Sequence, residues 1–153
     1  MPLAGKFVRA TDSGGEVGCR LRRVANQLIN NATDTAISWD QEDQDTDGFI
    51  TTTSATITIP TGLGGLYAIT MYAKSTANLN GRTYIDLVLT SAITGIPVNL
   101  RTVIATGNND SRYLASETIP LLAADTFQVH VFHTIGAADN HTAWMSCYRI
   151  AAF

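Results

Sequence analysis

An all-β sandwich or barrel is the fold class this sequence predicts, and three observations predict it. Short segments rich in Val, Ile, Thr, Tyr and Phe recur along the chain, several with apolar residues at every second position. Gly, Asn, Asp and Pro clusters interrupt them about every 10–15 residues, the spacing of a sandwich or barrel. Thr, Ala, Ile and Asn are abundant while Lys occurs only at Lys6 and Lys74, a balance that favours sheet over helix. No stretch sustains a 3.6-residue period. At 153 residues and 45% hydrophobic, the chain fits one domain that can bury a core without a metal or a disulfide.

In order along the chain, residues 1–23 read as a short extended arm, with Gly5, Gly14, Gly15 and Gly18 and no periodicity. Lys6, Arg9, Arg20, Arg22 and Arg23 against Asp12 and Glu16 give this arm a charge of +3. The other 130 residues therefore carry -6 of the net -3. The arm is either a solvated terminus or an anchor for an acidic protein surface, with Phe7, Val8 and Leu21 as apolar contacts. Residues 24–153 form the folded domain. Strands are expected over Arg22–Ile29, Thr35–Asp40, Phe49–Thr52, Ser54–Ile59, Leu66–Lys74, Thr83–Thr90, Val98–Thr106, Tyr113–Leu121, Thr126–Thr134 and Thr142–Ala151. Asn30-Asn31, Asp47-Gly48, Asn80-Gly81, Thr94-Gly95 and the Gly107–Asp110 and Gly136–Asn140 stretches supply turns. No internal repeat or linker divides the domain.

The segment over Leu66–Lys74 is the most informative. Tyr67, Ile69, Met71 and Ala73 alternate on one face, as expected for a strand facing a core. The other face, Leu66, Ala68, Thr70 and Tyr72, is also largely apolar, which predicts cover on both sides. A two-layer domain supplies only one cover, and a second chain supplies the other. Charged residues make up 15% of the chain against about 25% in an average soluble protein. Such a surface is not all solvent surface.

The order Trp39-Asp40, an acidic loop, Asp47-Gly48-Phe49, strand, Ile59-Pro60, Gly65-Leu66-Tyr67, strand resembles the front half of a C1q/TNF-like jelly roll. Ser116–Phe132 resembles that superfamily's strand, apolar turn and strand unit, with Ala124-Asp125 where Gly-Asp is usual. Thr142–Ile150, with Trp144, Ser146 and Tyr148 alternating, resembles its last central strand. The wording of Asn26–Ile37 and of the acidic segment after Trp39 resembles the version found in bacteriophage structural proteins, and no collagen-like Gly-x-y stalk is present. The resemblance implies a jelly-roll sandwich of about ten strands that forms homotrimers. It places Ala68, Thr70, Tyr72 and Tyr148 at the threefold axis.

Candidate chemistry is sparse. Asp43, Asp45 and Asp47, with Gly48 and Ile50, match the opening of a calcium loop, but Ser54 stands where a bidentate Glu is needed and no helices flank it. An acidic turn between strands is the favoured reading, calcium the alternative. His130 and His133 fall on opposite faces of one strand, and His141 shares no metal spacing with them. Ser and Cys lack a nucleophile elbow, Asp86 and Asp125 are isolated, and the Gly62–Gly65 run leads into a strand rather than a helix. No catalysis and no required cofactor are expected. Cys19 and Cys147 are expected as two buried free thiols rather than a disulfide. Nucleic-acid binding is not indicated at this charge, no apolar run approaches a membrane span of about 18 residues, and no apolar signal core opens the chain. The sequons at Asn31, Asn109 and Asn140 have no weight without a secretory route.

Three functional classes fit the resemblance. The first is a trimeric capsid decoration or cement protein on a phage virion, made in the host cytoplasm and held on the major capsid protein by Lys6, Phe7, Arg9, Arg20, Arg22 and Arg23. The second is a tail-fibre or receptor-binding tip reading a host glycan or protein through Gly107–Arg112 and Gly136–His141. The third, a secreted C1q-like ligand, is disfavoured by the missing leader and stalk.

Overall fold

The computed structural model describes residues 16–51, 53–76, 82–104 and 112–153. The strands are β1 (Gly18–Ile29), β2 (Thr35–Ala36), β3 (Gln41–Asp45), β4 (Ile57–Thr58), β5 (Gly65–Ser75), β6 (Thr83–Thr90), β7 (Pro97–Ile104), β8 (Arg112–Leu121), β9 (Thr126–His133) and β10 (Asp139–Ala152). Among the described residues there is no helix. One sheet runs β3-β1-β10-β5-β8, and the other runs β2-β9-β6-β7 with β4 also on β9.

Alternation in β5 sets the core. Tyr67, Ile69 and Met71 point inward and are fully buried, together with Leu21 of β1, Met145 of β10, Ile85 and Leu87 of β6, and Val129 and Val131 of β9. Phe49 meets Tyr67 edge-on at 6.2 Å, and the Tyr67 hydroxyl donates to the Leu63 carbonyl, so a polar tip buried with its ring keeps a partner. The turn after β8 holds where Ala124 replaces the usual Gly. Ala124 takes a φ of 68°, a strain of about 1–2 kcal/mol for a residue with a Cβ. The Asp125 carboxylate offsets this by accepting the Leu122 and Ala92 N–H groups, both at 2.8 Å.

Several boundaries differ from expectation. The first strand starts at Gly18, not Arg22, so Arg20, Arg22 and Arg23 lie in the sheet, Arg20 between buried Cys19 and Leu21. A Cβ on Gly18 would sit 2.1 Å from the Cys147 carbonyl oxygen, so this entry point accepts no side chain. Phe49–Thr52 forms no strand over its described residues, and Ser54–Ile59 and Thr35–Asp40 shrink to two-residue bridges on β9. Gln41–Asp45, expected as a loop, is instead edge strand β3, paired with β1. Charged edge strands lack the apolar alternation by which strands are read, because one side has no neighbour and the outer face is wet.

In the turn beyond β3, backbone N–H groups surround the Asp45 carboxylate. Asp45 Oδ1 accepts the N–H groups of Asp47, Gly48 and Phe49 at 3.3, 2.9 and 2.9 Å, and Oδ2 accepts that of Ile50 at 3.1 Å. Asp43 turns away to Arg22. Among the described residues, no three His, Cys, Asp or Glu side chains gather as a metal set. A carboxylate ringed by N–H dipoles already has its positive partners. Asp45→Ala is therefore expected to lower stability by about 1–3 kcal/mol in urea unfolding, since four donors lose one acceptor. Added calcium should leave the wild-type melting midpoint unchanged, and a calcium-dependent rise would restore the cation loop.

Candidate self-association face

The register of the five-stranded sheet assembles one continuous outer face. Tyr72 of β5 stands opposite Trp144 of β10 and Leu114 of β8, with Arg22 of β1 beyond Trp144. The next outward row is Arg20, Ser146, Thr70 and Ser116, and the one after is Gly18, Tyr148, Ala68 and Thr118. Tyr72 and Trp144 stack at 5.7 Å with planes 17° apart. Thr70 and Ser116 hydroxyls meet at 2.8 Å, and the Tyr148 hydroxyl donates to Gln44 Oε1 of β3 at 3.0 Å. Ala68, Thr70, Tyr72 and Tyr148 thus lie together on one face of the adjoining strands β5 and β10.

These side chains are only partly buried, while Trp144 is 37% and Leu114 61% exposed. Across the three central rows, β10, β5 and β8 present no charged side chain on this side. The charges stand at the margins, Arg20 and Arg22 on β1 and Lys74 opposite Arg112 at one end. An aromatic and small-polar centre rimmed by charge has the composition of an interface core. Among the described residues no strand is stacked over it.

The arginines of the expected anchor divide. Arg22 pairs with Asp43 at 2.5 Å, and Arg23 lies 3.6 Å from Asp40. Burial pushes the Asp40 carboxyl up, but the N–H groups of Val24 and Ala25 and the Arg23 charge outweigh it and hold the group below its ordinary range. Arg22 and Arg23 therefore have partners within the chain, which spacing alone did not reveal. Lys6, Phe7 and Arg9 lie outside the described residues, as does most of the Gly107–Arg112 loop.

A buried polar cluster closes the sandwich at the pole where β10 begins. His133 of β9 and His141 of β10 stack at 5.4 Å across the gap between sheets, and His133 Nε2 lies 3.0 Å from the Ile29 carbonyl oxygen. Asp139 accepts the hydroxyls of Ser75 and Thr76. Burial pushes the Asp139 carboxyl up, yet those hydroxyls, the Asn140 N–H and His141 together hold it down. Burial lowers the His141 imidazole to about 4, with His133 adding to the effect and Asp139 opposing it. Sequence reading kept His133 and His141 apart because their strands belong to different sheets. His130, as expected, faces the other way, 3.3 Å from Asp34.

No protein-family model matches this sequence, and no curated protein does. Solved structures match the fold. The globular domain of zebrafish complement 1qA superposes with a TM-score of 0.67 at 16% identity, covering 90% of this chain and 99% of that one. The PRD1 vertex protein P5 gives 0.62 at 18%, covering 90% and 99%. The Eiger TNF of S. frugiperda gives 0.62 at 12%, covering 90% and 94%. The fold is a C1q/TNF-like jelly roll.

The His141 shift has a sign. Its folded value of about 4 lies below the unfolded value of about 6.5, so between them the unfolded chain binds the extra proton. Stability is whole above pH ~6.5 and falls as pH drops toward ~4, by on the order of 3 kcal/mol. Asp139, whose folded value is lowered, removes more stability as pH falls further. Urea unfolding at fixed protein concentration should show this slope, and His141→Phe should flatten it. An unchanged slope in the variant would exclude His141 as its source.

Proposed function

We propose that this chain is a non-enzymatic structural protein of a bacteriophage particle, a homotrimer built on the outer face of the β3-β1-β10-β5-β8 sheet and carried on the capsid surface as a decoration protein. The observation that carries the reading is the uncharged centre of that face. Copies related by a threefold axis bury Ala68, Thr70, Tyr72 and Tyr148, with the Tyr72–Trp144 stack as the aromatic anchor. Small residues at the middle of the rows let three sheets approach. Likeness to a viral vertex protein supports the virion setting.

Attachment falls to the N-terminal segment, with Lys6, Phe7 and Arg9 against an acidic shell surface and Arg20 at the margin of the sheet, on β1. The major capsid protein is the partner. Three segments on one trimer make each weak contact count, because the second and third bind at high effective concentration. A ligand of the assembled shell alone stabilises it by about 2.7 kcal/mol per site at a hundredfold excess over Kd.

A second reading, a receptor-binding tip, draws on one observation. The chain enters β1 where Val17 O accepts the Arg149 N–H, whereas Gly136 lies at the other end of β10. The two points are about 30 Å apart at ~3.3 Å per residue, so loops opposite an anchored end face outward.

Sedimentation velocity at micromolar concentration should give three times the 16.4 kDa chain mass, and Ala68→Arg should give a monomer with unchanged β-sheet circular dichroism. A monomeric wild type, or a trimer unaffected by Ala68→Arg, would remove the face from the account. Capture on purified capsids that is lost on deleting residues 1–15 supports decoration. Adsorption of the intact protein to host cells, without capsid capture, supports the tip.

A further inference from the structure

We propose that Cys19 and Cys147 are a built modification site, a thiol pair that closes into an intrachain disulfide joining β1 to β10 when the chain folds in the presence of a small-molecule disulfide. Nothing in this inference depends on what the protein attaches to.

Register brings the pair together. Cys19 and Cys147 are direct partners in the antiparallel β1–β10 ladder, and both side chains point into the core. The Arg149 N–H bond to Val17 O fixes the parity of this ladder. Two positions on, Cys19 and Cys147 form a hydrogen-bonded pair, with Cα atoms about 5.5 Å apart. Disulfides favour about 5.5–6 Å, so no backbone segment has to move far. Cβ atoms in such a pair start about an ångström further apart than the bond prefers, so closure draws the strands inward and leaves a bond that mild reductants open.

Both cysteines are free thiols and wholly buried. Hydrogen bonding to Cys147 and burial push the Cys19 thiol up, which suppresses the thiolate that attacks a disulfide. The native state is thus slow to react. Exchange takes place before β1 has docked, or during an opening of that strand. One cysteine thiolate attacks a sulfur of oxidised glutathione, forming a mixed disulfide and expelling one glutathione thiolate. The second cysteine gives its proton to solvent, attacks the protein sulfur of that mixed disulfide and expels the other glutathione. Two protein thiols are oxidised, one glutathione disulfide is reduced, and the released thiolates take up the protons.

The consequence is mechanical. β1 is the strand through which the N-terminal segment reaches the sheet, and β10 is central to it. The bond would fasten the first covalently to the second.

The test refolds the reduced, denatured full chain in a glutathione redox buffer, then acid-quenches and alkylates it in denaturant. The expected product has lost the mass of two hydrogens, takes up no alkylating agent and runs as a single chain on a non-reducing gel. Its melting midpoint should exceed that of the reduced protein and fall back on adding dithiothreitol, while Cys19→Ala/Cys147→Ala should be insensitive to reductant. Natively folded chain in the same buffer should react at least tenfold more slowly, and sub-denaturing urea should speed it. Two alkylated cysteines, a retained glutathione adduct or a bond between chains would each overturn the proposal. The mass result decides it even if the double variant fails to fold.

Discussion

Side chains alternate across a β-strand, and at β5 this constraint leaves no neutral choice. The strand lies between β10 and β8, so its backbone is fully paired and its inward set, Tyr67, Ile69 and Met71, makes the floor of the core. Its outward set is then fixed in position too, and cross-strand pairing lines up Trp144, Ser146 and Tyr148 beside it. A one-residue slip would exchange the two faces, placing Thr70 and Tyr72 in the core and Ile69 and Met71 outside. Core packing therefore locks the outer face as firmly as the inner one. The pattern on that outer face follows from the same register that buries the core.

The molecule is polarised along β10. At one end, where Val17 meets Arg149, the chain enters through Gly18, and the Cys19–Cys147 pair lies just inside. At the other end Asp139, His141 and His133 form a buried polar lid with Ser75 and Thr76. The first end is held by apolar burial and close backbone approach, the second by hydrogen bonds among groups that titrate. Acid therefore acts on the far pole first, through His141, without touching the aromatic centre of the sheet.

How much of this the sequence carries depends on the range of the interaction. β5, β6 and β9 are legible because apolar residues fall at every second position, Tyr67 to Ala73, Ile85 to Leu89 and Phe127 to Val131. The jelly-roll order is legible from turn residues, including Ala124, whose left-handed backbone keeps the turn that Gly usually makes. Strand β3 is not, because Gln41–Asp45 carries only polar side chains and is held by its neighbour's backbone. The acidic loop motif was visible but its chemistry was not. Whether Asp45 meets a cation or four N–H groups depends on how tightly the chain turns at Gly48. Pairings such as Cys19 with Cys147 and His133 with His141 depend on register or on the meeting of two sheets. Local spacing records neither.

In the proposed trimer, Tyr72 and Trp144 are covered by sister copies. The chain has two tryptophans, and Trp39 is buried with no hydrogen-bond partner at its indole nitrogen among the described residues, so Trp39→Phe leaves Trp144 as a sole reporter. Fluorescence of that variant, measured across a dilution series with iodide as quencher, tests the claim most directly. A trimer burying this face gives blue-shifted, quencher-protected emission at micromolar concentration that turns red-shifted and quenchable on dilution. Red-shifted, freely quenched emission at every concentration from a folded chain would contradict it.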